Sequence, residues 1–363
     1  MNVTTLRSLA IFTAVGASLC AVRCGAELVA HYKFDDEVGD TAIDSATADG
    51  SQDAVQNQGD IGWTPIGEGR IGGALDLDGT SSLQAVDAVT SSATAFTISV
   101  WFNPRVDNPG YDGIYMARNE NWGIAYEGSA QVDNNIDYRI DNDPGGGSLG
   151  FDSADGSITP GNWYHMALTW TTDGSFATGK AYLNGTLVNS IDSTTNPSIT
   201  TTYTGHLSTW NIGDDPCCGG REINAQIDDL AVFNTALDDA GILQIYNWGL
   251  VGKDATGADA PLPPLAGDVN GDRLVNDADF QIIRNNFYNS ATTRIEGDLN
   301  RDGIVDFLDF DAWKTASQGS VSAAANVPEP TALVVLLTAL AAIALADVRG
   351  RRSAAIDTVR ICP

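Results

Sequence analysis

The stretch that most constrains this chain is a pair of twelve-residue segments near its C-terminal end. They are Asp268–Asp279 (DVNGDRLVNDAD) and Asp298–Asp309 (DLNRDGIVDFLD). In both, oxygen-bearing side chains fall at positions 1, 3, 5, 9 and 12, with an apolar residue at position 8. A loop wrapping a calcium ion has this spacing, with position 7 adding its main-chain carbonyl. The ligands read off the first segment are Asp268, Asn270, Asp272, the Leu274 carbonyl, Asn276 through water, and Asp279. In the second they are Asp298, Asn300, Asp302, the Ile304 carbonyl, Asp306 and Asp309. Zinc would call for His or Cys, and neither segment has any. One such loop can arise by chance; two in register point to calcium as the cofactor. Position 6, where the loop turns with positive φ, is Gly303 in the second segment but Arg273 in the first. A non-glycine residue there costs on the order of 1 kcal/mol, so the first site is expected to bind more weakly.

Charge supports a chain that lives with cations. Asp plus Glu number 47 against 19 Lys plus Arg, a formal net charge of -28. That balance excludes nucleic acid as a partner, because phosphate-backbone binding needs basic patches. The 363 residues leave room for two domains, and a hydrophobic content of 43% is enough for a real core. Cysteines stand at 20, 24, 217, 218 and 362. If both ends are processed only Cys217 and Cys218 remain, so the fold must hold without a disulfide framework.

Residues 27–251 read as strands. Phe96, Ile98, Val100 and Phe102 alternate with Thr97, Ser99 and Trp101, and Tyr164, Met166, Leu168 and Trp170 repeat the pattern. Leu28, Ala30, Tyr32 and Phe34 share one side of an earlier run. Asn184-Gly185 between two apolar runs is a strong hairpin signal. The helix-like piece in this region is 238–247. Many short strands with Gly-, Asn- and Asp-rich turns predict a mainly β fold, an antiparallel sandwich.

Six landmarks occur in order: Ala30–Asp36, Gly72–Gly79, Phe96–Trp101, Trp163–His165, Tyr182–Gly185 and Ile227–Asn234. Together they resemble the LamG-like (concanavalin A-like) jelly roll. The resemblance implies that the first and last strands are neighbours. Asp35 or Asp36 can then approach Asp228 or Asp229, and a further calcium site at Asp36 and Asp229 is implied. The alternative is that one Asp caps a turn while the other faces water. Relatives that hydrolyse glycans carry a Glu-x-Asp-x-x-Glu strand, and no such triplet occurs here. His31 and His165 lie on strands where the family also carries His, so they are expected to be structural. No enzyme is expected, although a glycan-active hydrolase with an unrecognised site stays open. The stretch 210–221 is the unusual loop: Trp210, the adjacent Cys217 and Cys218, which can close a ring as a disulfide, and Arg221. It is either a platform for a sugar face or a stiffened loop.

Residues 252–265, with Pro261, Pro263 and Pro264, have the composition of an extended linker. These prolines make a helix before the first calcium loop improbable. A helix after each loop is expected, starting at the position-12 Asp, with Phe280, Ile282, Ile283 and Phe287 or Phe310 and Trp313 on its apolar face. Loop plus one helix, twice, with Asp at position 12, resembles the type I dockerin over 266–320. The resemblance implies a cohesin-like docking partner read by positions 10 and 11. Those are Asp277-Ala278 and Phe307-Leu308, unlike each other. Phe307 and Leu308 either face a partner or pack on the other repeat.

The two ends read as addresses. Residues 1–26 hold Arg7, an apolar run and Cys24-Gly25-Ala26, a signal peptide cut before Glu27 rather than an uncleaved anchor. At the other end come Val327-Pro-Glu-Pro330, an uncharged run 331–346, and Arg349, Arg351 and Arg352, with a short tail at 353–363. At about 1.5 Å per residue the run is about 24 Å long, a marginal transmembrane helix against a core of about 30 Å. Residues 327–352 resemble the PEP-CTERM sorting signal, which implies an exosortase-type sorting protease as a partner; a plain tail anchor is the alternative. The expectation is an exported protein, membrane-anchored before sorting and then at the cell surface or outside. It would bind a glycan or extracellular-matrix ligand without catalysis. A structural or adhesive protein with protein partners is the alternative.

Overall fold

The computed structural model describes residues 26–324, apart from 48, 107–109, 118–121, 129–133, 141–150, 197–198, 208, 217–218 and 292. The signal-peptide reading falls almost wholly outside the described residues. The sorting signal, its apolar run and the tail lie outside them entirely. Among the described residues no helix is long and apolar enough to cross a membrane. The chain divides into two units, Met1–Pro263 and Pro264–Pro363.

The first unit is built from strands β1 (Leu28–Tyr32), β2 (Thr41–Ala42), β3 (Ala54–Gln58), β4 (Gly62–Thr64), β5 (Ala74–Asp78), β6 (Ser82–Ala85), β7 (Ala95–Pro104) and β8 (Gly110–Ala117). It continues with β9 (Trp122–Gly128), β10 (Asn135–Ile140), β11 (Tyr164–Thr172), β12 (Ala177–Leu183), β13 (Thr186–Asp192), β14 (Trp210–Ile212) and β15 (Asn224–Phe233), then helix α1 (Asp239–Leu250). One sheet runs β13-β12-β11-β7-β15-β5-β4 with β1 also on β15, and the other runs β10-β9-β8-β14-β6-β3-β2. Each inner face supplies alternate residues to a single core. Phe96, Ile98, Val100 and Phe102 of β7 and Met166, Leu168 and Trp170 of β11 lie in it, as their alternation predicts. Each such side chain contributes roughly 1.5–3 kcal/mol by leaving water. Phe96, Trp122, Trp170 and Tyr203 form a ring cluster with centroids 5.2–6.3 Å apart.

Asn184 (φ 50°) and Gly185 (φ 74°) join β12 to β13 with the two left-handed residues a tight hairpin needs. α1 starts after Asp238, whose carboxylate accepts from Gly241 N at 2.9 Å. It covers the outer face of the first sheet. Ile242 packs on Ala167 and Tyr182, and Ile245 on Ala231 and Phe233. Gly249 lies so close to Trp101 that a Cβ would stand 2.4 Å from the indole. Residues 252–263, read above as linker, cluster with this first unit. Asp254 is buried, pairing with Lys33 Nζ at 2.6 Å and accepting from the Thr256 and Ala258 amides.

The second unit is two loop–helix repeats. α2 (Asp277–Asn286) follows the first loop and α3 (Phe307–Ala324) the second. Among the described residues no helix leads directly into the first loop, as the prolines predict; a 3-10 turn, Arg294–Glu296, leads into the second. Val269, Ile283, Ala291 and Val305 form the core, with Ile282, Phe287, Leu299, Phe310 and Trp313 around it. Phe280 stacks on Trp313 at 5.0 Å, and the indole donates to Asn276 O at 3.0 Å. Each loop is thereby tied to the other repeat's helix or strand-like return; Tyr288 N, for example, donates to Val305 O at 2.7 Å.

Candidate functional site

The two loops repeat one hydrogen-bond network almost atom for atom. The position-12 carboxylate takes the amides of positions 2, 3 and 9. Asp279 accepts from Val269, Asn270 and Asn276 at 2.8, 3.2 and 2.9 Å. Asp309 accepts from Leu299, Asn300 and Asp306 at 2.7, 3.2 and 2.8 Å. The position-1 carboxylate takes the amide of position 6, Asp268 from Arg273 at 2.8 Å and Asp298 from Gly303 at 2.9 Å. Asn270 and Asn300 accept from the Asp272 and Asp302 amides, and the Asp272 and Asp302 carboxylates in turn accept from Leu274 and Ile304 N. These bonds curl the chain round its own carboxylates and bury Asp268, Asp279, Asp298 and Asp309 to within 1%.

Such a loop turns acidic oxygens inward, which without a cation is electrostatically costly. The donor set of carboxylates, amide oxygens and one carbonyl is the hard-oxygen set calcium takes. Among the described residues no three His, Cys, Asp or Glu side chains converge as a ready metal cage. The loops, however, draw on Asn oxygens and a carbonyl besides their acids, and the carboxylates hold amides that also order the loop.

Two expectations need correction here. The helices start at position 10, not 12. Asn276 is the N-cap of α2, accepting from Ala278 N at 2.7 Å, and Asp279 closes a capping box from the third helical position. Asp306 accepts from Leu308 N at 2.7 Å in the same way. One pair of side chains thus serves both as helix cap and as candidate ligands. Nor does Arg273 single out the first loop as strained. Each loop turns left-handed twice, at positions 4 and 6: Gly271 (φ 75°) and Arg273 (φ 65°), then Arg301 (φ 61°) and Gly303 (φ 88°). Each carries one glycine and one arginine, in opposite order, so strain gives no reason for unequal sites.

Phe307 and Leu308, at positions 10 and 11 of the second loop, are 64% and 61% exposed. They do not bury against the other repeat, although the Phe307 ring meets the Phe287 edge at 5.1 Å. Asp277 and Ala278 are also exposed.

In the sandwich, β1 and β15 are antiparallel neighbours as expected, with Tyr32 opposite Leu230. Asp228 and Asp229 sit where β15 bulges, between the half that pairs with β5 and the half that pairs with β1, and Asp229 takes φ 48°. Asp35, rather than Asp36, is the neighbour whose charge bears on Asp229. Asp36 is near Ile43 N and is raised to about 6, first by burial. The implied calcium between Asp36 and Asp229 does not fit this arrangement. His31 Nε2 lies 2.6 Å from Asp229, and Lys33 Nζ lies 2.6 Å from Asp254. The protein's own nitrogen groups stand where a cation would. Burial pushes Asp228 well above the usual carboxylate range, with Asp229 adding to it, and raises Asp229 and, to about 6, Asp35.

His165 pairs with Ser99 at 2.9 Å, a base beside a hydroxyl, but both are buried to within 1% under Trp101 and Tyr246. Burial holds the imidazole down to about 3, and its Nδ1 has no partner to orient it. The pair is structural.

The 210–221 platform takes a different form from the one expected. Trp210 is 2% exposed in β14, its ring 4.5 Å from Tyr115 in the core, so its face is closed to a ligand. Cys217 and Cys218 lie outside the described residues. Arg221 pairs with the buried Asp215 at 2.6 Å and lies over the Tyr111 ring. Beside it, on the outer face of the second sheet, stands a polar cluster that the sequence did not reveal: Tyr111, Glu127, Asp137, Arg139 and Asp152. Its one visible signal is the polar alternation Asn135, Asp137, Arg139 against Ile136, Tyr138, Ile140 in β10.

Comparison with known proteins agrees with both units. Residues 77–243 match the family described as the concanavalin A-like lectin/glucanases superfamily (Laminin_G_3), and residues 266–316 match the dockerin type I domain. No curated protein matches the chain. Among solved structures it is similar to domain 4 of an extracellular GH43 arabinanase from Geobacillus stearothermophilus, solved with arabinotriose. Identity there is 23% and the TM-score 0.44, covering 60% of this chain and 98% of that one. It is also similar to the receptor binding domain of a botulinum neurotoxin C/D mosaic, at 15% identity and TM-score 0.44, covering 66% and 56%. A third is the binding domain of botulinum neurotoxin DC with rat synaptotagmin II, at 17% and 0.45, covering 61% and 52%. The chain thus spans little over half the length of those neurotoxin domains. Residues 77–243 belong to the concanavalin A-like lectin/glucanases superfamily, and residues 266–316 are a type I dockerin domain.

Proposed function

We propose that this chain is a non-catalytic binding protein with two working parts. Its jelly-roll sandwich, within 27–251, binds a glycan or extracellular-matrix component. Its repeat pair, within 266–320, binds two calcium ions and docks a protein partner of cohesin type. Supporting the docking role, Phe307 and Leu308 are exposed at the helix start while Asp277 and Ala278 occupy the equivalent place in the other repeat. The partner surface is therefore one-sided. The reading extends to an exported protein sorted at its C-terminal end by an exosortase-type protease. Its support there is the sequence of 1–26 and 327–352.

The observation that carries the reading is the duplicated loop network, in which all four position-1 and position-12 carboxylates are buried facing their own loop. The test is glycan-array binding by the full chain with and without chelator, assayed in parallel for released sugar. Glycan binding without release supports the reading. Binding of matrix proteins alone favours an adhesive protein, and released sugar makes it a hydrolase.

A further inference from the structure

The chain contains Asn-Gly twice, at 184–185 and 270–271, and the fold gives the two pairs opposite surroundings. The Asn184 side-chain oxygen accepts from His165 N at 3.0 Å. Gly185 is buried, and a Cβ there would stand 2.8 Å from the Tyr246 ring. Asn270 and Gly271 are both exposed, at positions 3 and 4 of the first loop, and a Cβ on Gly271 would meet nothing within 4 Å. Gly271 N donates to Asp268 Oδ1 at 2.9 Å, which sets a carboxylate on the proton that keeps this nitrogen from acting as a nucleophile. Asn270 Oδ1 accepts from Asp272 N at 3.0 Å, and Asn270 Nδ2 donates to Asp272 Oδ2 at 3.0 Å. A backbone amide thus points at the oxygen on which charge builds when Cγ is attacked, and a carboxylate holds the nitrogen that would leave. The second loop repeats the grip on the Asn300 side chain, at 3.1 and 2.9 Å from Asp302. Its next residue is Arg301, however, and Asp298 accepts from Asp302 N and Gly303 N instead. A side chain at that place crowds the approach of the peptide nitrogen, and glycine has none.

We infer that Asn270-Gly271 is a self-modification site, open in the calcium-free first loop and closed in the filled one, the closing resting on the calcium reading of the loops. Gly271 N gives its proton to Asp268 and bonds to Asn270 Cγ. The Cγ–Nδ2 bond breaks, and the proton leaves with that nitrogen as ammonia. Water then adds to either carbonyl of the resulting cyclic imide and breaks its bond to Gly271 N. Attack at Cγ leaves aspartate at 270 with the main chain intact. Attack at the main-chain carbonyl leaves isoaspartate, whose peptide bond runs through the side chain and adds a methylene between positions 3 and 4. Water is the only co-reactant. Aspartate keeps an oxygen ligand at position 3, whereas the added methylene shifts the ligands on one side of it against those on the other. Asp268 and the Asn270 oxygen are both ligands of the filled loop, so filling it removes the proton acceptor and fixes Asn270 by its oxygen. The two loops, alike in strain, differ in chemistry: the first records time spent without calcium and the second does not.

The test incubates the full chain in mildly alkaline buffer, with chelator or with calcium. Each asparagine is followed by peptide mass spectrometry, with fragmentation that separates aspartate from isoaspartate. In chelator Asn270 should convert faster than Asn184 and Asn300 by about tenfold or more, and calcium should slow it by a similar factor. Asp268→Asn should slow the conversion in chelator by about tenfold or more. Gly271→Arg, which copies position 4 of the second loop, should stop it. Calorimetric titration of the aged chain should show the first site lost in proportion to isoaspartate at 270, and the second intact. Asn270 unchanged in chelator, or Asn184 or Asn300 converting as fast, overturns the site; the unmodified chain carries that comparison even if a variant fails to fold. Undiminished conversion in a folded Asp268→Asn overturns its part as proton acceptor. Equal conversion in calcium and in chelator, by a chain that binds calcium, overturns the closing of the site. Equal conversion by a chain that binds none overturns the calcium reading and leaves the modification standing.

Discussion

Replacing Arg273 or Arg301 by glycine probes the calcium loops where the structure and the sequence pattern disagree. Both arginines hold left-handed backbone, at φ 65° and 61°. An L-residue pays about 1–2 kcal/mol for that conformation. Glycine relieves it but gives back roughly 0.5–1 kcal/mol in chain entropy. The net gain is about 0.7 kcal/mol towards the ordered loop, or about threefold in affinity at 1.4 kcal/mol per decade. Arg273→Gly and Arg301→Gly should therefore tighten calcium binding by the same factor of about three. In the double variant each site should tighten about threefold, about tenfold in the product of the two binding constants, since the two positions lie in different loops. Calorimetric titration of the full chain after chelator treatment reads this directly. A gain confined to Arg273→Gly would restore the position-6 rule and refute the argument from position 4. A loss in both would show that the arginine side chains outweigh their backbones.

Three further outcomes follow from named contacts. Asn276→Ala removes the α2 cap and should cost the second unit about 1 kcal/mol in chelator, seen as an earlier helix-melting transition; no shift would show that the cap is idle. Gly249→Ala drives a Cβ into the Trp101 indole and should destabilise the sandwich by about 1–3 kcal/mol in denaturant, whereas a neutral result would mean that α1 slides freely. For pH, Asp152 stands up at about 7, Asp35 and Asp214 at about 6, all chiefly through burial, and Asp228 is raised for the same reason. Their contribution is full below an unfolded value near 4 and is lost as pH rises through about 6 to 7. His165, held near 3 by burial, works oppositely between about 6.5 and 3, but it is one group against several. The melting midpoint of the sandwich in EDTA should rise on going from pH 7.5 to 5.5, and a fall across that window would contradict the assigned shifts.

Alternation made the large strands legible, because β7 and β11 have a wet or helix-covered face and a core face that differ in polarity. Asn184-Gly185 was equally plain, since turn chemistry acts within a few residues. What stayed hidden depends on contacts distant in the chain. Trp210 looked like a loop residue, yet three residues of β14 between β6 and β8 carry it into the core. Asp229 looked like a metal ligand until the bulge placed His31 beside it. The burial of Asp137 and Arg139 is invisible in sequence because it depends on strand neighbours such as Ala125 and Gly123. In the two repeat loops the spacing of acidic and amide side chains was plain in the sequence. The second left-handed position was not, because glycine and arginine exchange places between the copies.

The most direct measurement is a calcium titration of the full chain, stripped with chelator and followed by calorimetry and far-ultraviolet circular dichroism together. Two sites of similar affinity are expected, with a gain of helix as α2 and α3 are capped and locked by the filled loops. Abolition of one site by Asp279→Ala and of the other by Asp309→Ala would complete it. Fewer than two sites, or saturation with no gain of helix, would contradict it.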